Sequence, residues 1–257
     1  MILYFSGTGN TRFVARRLAE LLDKTAIAID VDSPAPRLSA KSNRIIWCFP
    51  TYSWGVPPVV VDYINKVDLD NASAITHYMV TTCGDDMGLT DHQWRRCIKA
   101  RGWRPAGSYA VIMPNTYVLM KGFDVDPPEV AAKKIEQAPA RIQEIARRIE
   151  QGGPDMPVRG RFAWIKSRII YPWFIRHAMS PKPFHSTEGC TGCSTCARSC
   201  PMHNITMESD RPRWGNSCAL CLRCYHICPR RAVAYGKATD GKGQYLLAKP
   251  HSFENNE

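Results

Sequence analysis

Ile2-Leu3-Tyr4-Phe5-Ser6-Gly7-Thr8-Gly9-Asn10-Thr11 stands at the start of the chain, and Arg12 to Leu22 follows with apolar residues at 13, 14, 18, 21 and 22. The four apolar residues read as a buried strand. The later spacing reads as one stripe of a helix. Between them lies a loop of Ser, Gly, Thr and Asn only. A strand, a small polar loop and a helix start make an anion cradle. Gly7 and Gly9 permit tight turns, Ser6, Thr8 and Thr11 offer hydroxyls, and free helix N–H groups face a phosphate. No Gly-Lys-Ser/Thr follows, which disfavours nucleotide hydrolysis, and the glycines are not those of a dinucleotide fold. A short hydroxyl-rich loop without lysine suits one terminal monophosphate, which points to FMN. The competing reading is a polar turn between strand and helix.

Outward from this unit the pattern repeats. Residues 26–31, Arg44 to Phe49, Ala74 to Thr81 and Tyr109 to Met113 read as further strands. Helices are expected near 58–66, 89–101 and from Pro127 to Ile149, the last with a bend at Pro139. The expected fold class is α/β, a doubly wound parallel five-stranded sheet of order 2-1-3-4-5. In that order the loops after the first and third strands flank the crevice where FMN binds. The third loop is Pro50-Thr51-Tyr52-Ser53-Trp54-Gly55, where Tyr52 or Trp54 either stacks on the isoalloxazine or folds back over the sheet edge. The fourth, Thr82-Cys83-Gly84-Asp85, offers backbone groups to the flavin N3/N5 edge. Asp85 and Asp86 either disfavour an anionic reduced flavin or cap the next helix. Cys83 is a reactive thiol beside the flavin or a small buried filler, and Cys48 and Cys97 read as fillers. Asn115 sits on the same rim, at the cofactor or substrate mouth.

A second signal lies far downstream. Cys190-x2-Cys193-x2-Cys196-x3-Cys200-Pro201 is followed by Cys218-x2-Cys221-x2-Cys224-x3-Cys228-Pro229. Each run is a [4Fe–4S] ligand pattern, in which the fourth cysteine serves the other cluster. The expected sets are Cys190, Cys193, Cys196 and Cys228 on one cluster, and Cys218, Cys221, Cys224 and Cys200 on the other. Structural zinc is the alternative for Cys-x2-Cys pairs, but it rarely needs three thiolates at intervals of three before a Cys-Pro. The halves 188–209 and 216–237 read as an internal repeat, with Ile205 and Val233 at matching offsets. His203 and His226 are hydrogen-bonding or surface residues, with His226 a candidate for tuning a cluster potential.

Composition bounds the rest. Thirty-four Lys and Arg against 23 Asp and Glu give a formal charge of +11. Two clusters and a phosphate would cancel about half of that. The surplus is local, with six Lys or Arg and one acid in residues 153–185. It implies an acidic protein partner or an anionic surface rather than nucleic acid, because no nucleic-acid-binding motif accompanies it. Eight committed thiolates imply a reducing, cytoplasmic and anaerobic setting; no secretion signal and no transmembrane segment is expected. The expected division is 1–152 for the FMN-binding domain, 153–185 for a basic aromatic connector and 186–257 for the cluster domain with its tail. The connector either packs between the domains, docks a partner or a second copy as a homodimer, or makes peripheral membrane contact through 161–176. Pro172 is expected to break any long helix there.

The first part resembles flavodoxins, whose phosphate loop matches Ser6-Gly7-Thr8-Gly9-Asn10-Thr11, and 190–228 resembles bacterial 2[4Fe–4S] ferredoxins with a small α+β fold. The order looks like the flavodoxin–ferredoxin fusion proteins of anaerobic bacteria and archaea; Pro50 to Pro57 and Thr82-Cys83-Gly84 also resemble motifs of that group. The resemblance implies FMN binding and electron transport between low-potential one-electron carriers and an acceptor, with delivery to a redox partner protein. The alternative is an FMN-dependent iron–sulfur oxidoreductase acting on a quinone, an enone or a nitro compound. No acid–base or nucleophilic constellation assigns a catalytic residue. One departure is charge: free-standing flavodoxins and ferredoxins are usually acidic, and this chain is basic.

Overall fold

In a computed structural model of the chain, the described residues are 1–31, 37–38, 43–70 and 72–247. The tail 248–257 lies outside them. Five strands, β1 (Ile2–Tyr4), β2 (Ala26–Ala28), β3 (Arg44–Pro50), β4 (Thr76–Cys83) and β5 (Arg104–Ile112), form one sheet. Their order is β2-β1-β3-β4-β5 and every pairing is parallel. This is the doubly wound, flavodoxin-like topology expected from the sequence.

The period of two along each strand explains why both faces are covered. Ile45, Trp47 and Phe49 pack with residues of α2 (Pro58–Lys66) and α3 (Thr90–Ala100). Their neighbours Ile46 and Cys48 pack on the other side against α1 (Asn10–Leu21) and α4 (Pro128–Gln151). Prolines open α2 and α4 at positions where the missing N–H costs nothing, and Gly152 closes α4 at φ 72°. β5 begins five residues before its expected start, because Arg104-Pro105-Ala106-Gly107-Ser108 looks loop-like in sequence yet pairs with β4. α4 runs through Pro139 as one helix.

Beyond the sheet the structure is small and mixed. β6 (Phe184–Ser186) pairs antiparallel with β9 (Val233–Tyr235), and β7 (Ile205–Glu208) with β8 (Arg211–Trp214). Short helices at Thr195–Arg198 and Arg223–Ile227 follow equivalent cysteines. The repeat reaches the backbone. Positive φ angles occur at Gly192 and Leu220, at Ser194 and Leu222, and at His203 and Arg231, each pair separated like Cys190 and Cys218.

The connector corrects one expectation. Pro172 does not break it: residues 163–178 are helical throughout, short α segments alternating with π turns. The wider turns, with Tyr171 N–H donating to the Lys166 carbonyl and Met179 N–H to that of Phe174, shift the register around the missing proline donor. Its inner face is fixed to the sheet region. Tyr171 and Phe174 are buried, Lys166 pairs with Asp86 at 2.7 Å, and the Tyr171 hydroxyl donates to the Val56 carbonyl at 2.6 Å. Among the described residues no helix is long and apolar enough to cross a membrane.

Candidate functional site

The carboxyl ends of β1, β3, β4 and β5 open on one cleft. Ser6, Gly7, Thr8, Asn10 and Thr11 form one wall, Pro50, Thr51 and Tyr52 a second, and Thr82, Cys83, Gly84 and Asn115 a third. Thr8, Asn10 and Thr11 are buried polar residues at the start of α1, whose first turn carries no acid and no side-chain cap. The Ser6 hydroxyl accepts the Arg12 N–H at 3.2 Å, and the Thr11 and Thr82 hydroxyls lie 2.8 Å apart. The Tyr52 hydroxyl is buried with no hydrogen-bond partner. Burial, then the nearby Cys221 and Cys218, keep that phenol far from ionising.

Five of the singled-out residues stand elsewhere. Gly9, at φ 105°, packs on the Leu247 backbone. Ser53 does not line the cleft, and Trp54 and Gly55 face the connector. The Trp54 ring lies 4.8 Å from Lys166 Nζ, its carbonyl accepts from the Ser167 hydroxyl, and a Cβ on Gly55 would strike Tyr171. Asp85 is outside the cleft as well, within 3.4 Å of Asn115 Nδ2 and 3.9 Å of Lys134 Nζ. Asn115 is held by Asp126, which accepts from its backbone N–H and its side-chain amide. Burial alone would raise the Asp126 pKa, but hydrogen bonds from Lys134 and Asn115 outweigh it and hold the carboxyl below the usual range. Burial, then Asp86 and Asp85, push the Cys83 thiol up to about 12, so it is a neutral filler.

The cysteines assemble in the crossed sets. Cys190, Cys193, Cys196 and Cys228 line one cavity, and Cys200, Cys218, Cys221 and Cys224 line another. Among the described residues no three ligand side chains converge on a single-ion position. Residues 189–233 match the family described as the 4Fe-4S dicluster domain.

Cleft and second cavity share a wall. Cys221 lines both, and a Cβ on Gly7 would come within 2.4 Å of the Cys221 carbonyl oxygen. Close approach therefore demands glycine at position 7. Arg223, beside Cys224, donates to the Gly7 carbonyl at 2.8 Å. The last described segment straps the junction from outside. Leu247 N–H donates to the Thr8 carbonyl, the Tyr245 hydroxyl to Asn10 Oδ1, and Tyr245 N–H to His226 Nδ1. His226 is buried, its Nε2 donates to the Thr116 carbonyl, and burial lowers its pKa to about 4. None of these junction residues carries a motif. Only their position after or inside a cysteine run hinted at them, and for Tyr245 and Leu247 there was no signal at all.

No curated protein matches the chain. Three solved structures resemble part of it. The Trp repressor binding protein of Bacillus subtilis is 15% identical over 56% of this chain and 96% of its own, with a TM-score of 0.37. The flavodoxin of Streptococcus pneumoniae TIGR4 is 16% identical over 58% and 96%, TM-score 0.36. The rubredoxin oxygen:oxidoreductase of Desulfovibrio gigas is 16% identical over 59% and 36%, TM-score 0.34. The fold assignment rests on strand order and not on these partial likenesses.

Proposed function

We propose that the chain is an electron-transfer protein of flavodoxin–ferredoxin fusion type, with FMN in the cleft and a [4Fe–4S] cluster in each cysteine cavity, delivering electrons to a partner protein. The observation that carries this is Cys221, which belongs at once to the cleft and to the second cysteine set. Flavin exchanges one or two electrons and each cluster exchanges one, so the three groups together link two-electron and one-electron carriers.

The residues present suit these groups. Backbone N–H groups at the start of α1 and the hydroxyls of Thr8 and Thr11 receive a phosphate. Tyr52, half-buried in the cleft wall with its hydroxyl unpartnered, offers its ring and hydroxyl to the flavin, while Trp54 is committed to Lys166. In the cysteine region, Leu220 and Leu222 hold left-handed backbone angles of 49° and 60°. Such angles in bulky residues persist where surroundings over-determine them, as at a ligand clamp. The set with Cys221 faces the cleft. The other set includes the exposed Cys193 and forms the outward port. On this reading the FMN-binding part lies near 1–152 and the cluster part from 186, the eight thiolates call for a reducing setting, and the basic surplus of 153–185 calls for an acidic redox partner.

The test is anaerobic reconstitution with FMN, iron and sulfide, followed by stopped-flow reduction from a one-electron ferredoxin-type donor. Electrons reaching the flavin quickly in wild type, and slowly in a Cys221→Ser protein that still binds FMN, support the relay. Equal rates overturn it. Sustained turnover with a quinone, an enone or a nitro compound alone would favour the small-molecule enzyme instead.

A further inference from the structure

We infer that the connector helix is a peripheral membrane anchor, whose outward face inserts into the interface of an anionic lipid surface. Six large apolar side chains stand outward on this one element. Phe162, Trp164, Ile169 and Trp173 are 65%, 62%, 55% and 52% exposed, and Ile165 and Ile170 accompany them. Phe162, Ile165, Ile169 and Trp173 recur at three- and four-residue intervals, the period of one helix face. The opposite face, Ser167, Tyr171 and Phe174, is the one fixed to the body. The helix is therefore held flat along the surface with its apolar stripe facing away. The continuity of 163–178 through Pro172 gives that stripe its full length.

Charge selects the occupant. Arg161, Arg168 and Arg176 are exposed beside the stripe, and none has an acidic partner among the described residues. Tryptophan and arginine around an aliphatic stripe is the composition of helices that lie in a lipid interface, and nearby basic groups add attraction to anionic headgroups. A second copy of the chain is a poorer fit. Two such helices crossing would set arginine stripes against each other. A face about 24 Å long and 10 Å wide is also well under the roughly 800 Å² per partner of a stable interface. None of the stripe residues lines the cleft or either cysteine cavity, so the anchor does not depend on the cofactor assignment.

The experiment is flotation of the full chain with phosphatidylcholine vesicles, with and without about a third phosphatidylglycerol. Binding to anionic vesicles, weakened by salt and absent from neutral ones, is expected. Ile169→Glu with Trp173→Glu should lower partitioning at least about thirtyfold, and Arg168→Ala about fivefold. Unchanged iron content and near-ultraviolet dichroism in each variant show that the fold is kept; should the double variant misfold, Ile169→Ser serves in its place. Failure of the wild-type chain to float, or equal flotation of the stripe variants, overturns the proposal. A dimer in sedimentation that Ile169→Ser dissolves, without lipid binding, makes the face a self-interface and overturns it as well.

Discussion

The sheet region and the cysteine region are held together by different means. Trp47, Trp94, Tyr109 and Phe49 are wholly buried around the sheet, and all the largest fully buried side chains belong to that region. The cysteine region buries a thinner set centred on Phe184, Leu222 and Tyr225, and borrows Val118 and Leu119 from the chain after β5. It also keeps seven non-glycine residues in left-handed conformations, Ser194, His203, Ser209, Asp210, Leu220, Leu222 and Arg231. Each costs on the order of 1 kcal/mol or more. A sheet with two covered faces stores its stability in packing. With clusters bound as proposed, the cysteine region would draw its stability from its thiols.

The largest expected effect separates the two directly. Removing iron from reconstituted protein should release the amides of 184–186, 205–214 and 233–235 to hydrogen exchange, while β3 and β4 stay protected. Uniform protection would show that the cysteine region folds on packing alone. A single change sharpens this: Cys196→Ala should lower iron from roughly eight to roughly four atoms per chain. Unchanged iron and sulfide would sink the crossed ligand sets.

The second prediction loads the sheet side. His77 is fully buried, stacks on Trp103, and accepts the Trp47 indole N–H at Nδ1, 3.0 Å away. Burial lowers its pKa from 6.5 to about 4. The folded state then binds fewer protons than the unfolded one between these values. The stabilisation is complete above pH 6.5 and is lost as pH falls toward 4, by about 3 kcal/mol. Denaturant titrations across that range should show a decline about 3 kcal/mol smaller in His77→Phe than in wild type, since His226 contributes the same kind of loss to both, although the variant is weaker at pH 7 for want of the Trp47 acceptor.

Much of this contrast was legible beforehand, for reasons that differ by element. β1 with its loop and the two cysteine runs are local patterns whose chemistry is fixed by spacing, and so was the strand order that follows from repeated βα units. Pro172 misled because proline is read as a helix breaker, whereas π turns absorb it. Pro105 and Gly107 hid the first half of β5, whose pairing comes only from β4. Trp54 looked like a flavin neighbour because the third loop faces the crevice in general; Lys166 and Ser167, more than a hundred residues away in sequence, draw it to the connector. Contacts made by long-range packing have no local signature.

The third prediction tests the cleft against its polar-turn alternative. Thr8 is buried at the start of α1. Thr8→Glu places a carboxylate where the phosphate is proposed to sit, and should weaken FMN binding on the order of 100-fold, about 2.7 kcal/mol, as read by fluorescence titration. If flavin affinity survives that change, the cofactor lies elsewhere and the contrast between a packed flavin domain and a cluster domain loses its first half.

The smallest effect addresses whether the two regions act as separate bodies. Arg223 follows Cys221 by two residues and donates to the carbonyl of Gly7, so one guanidinium ties the second cysteine set to the phosphate loop. Removing it leaves a half-buried carbonyl without its charged donor, a loss of about 1–3 kcal/mol. Neither core contains this side chain, so Arg223→Ala should leave the packing of each region intact and weaken only their docking. Calorimetry should then resolve two transitions, the earlier belonging to the cysteine region. Arg223→Lys keeps the charge but loses the planar fork, and should fall between. A single unshifted transition in both variants would mean that the C-terminal strap, through Tyr245 and Leu247, carries the coupling by itself. Truncation after Gln244 would then be the change that separates the regions.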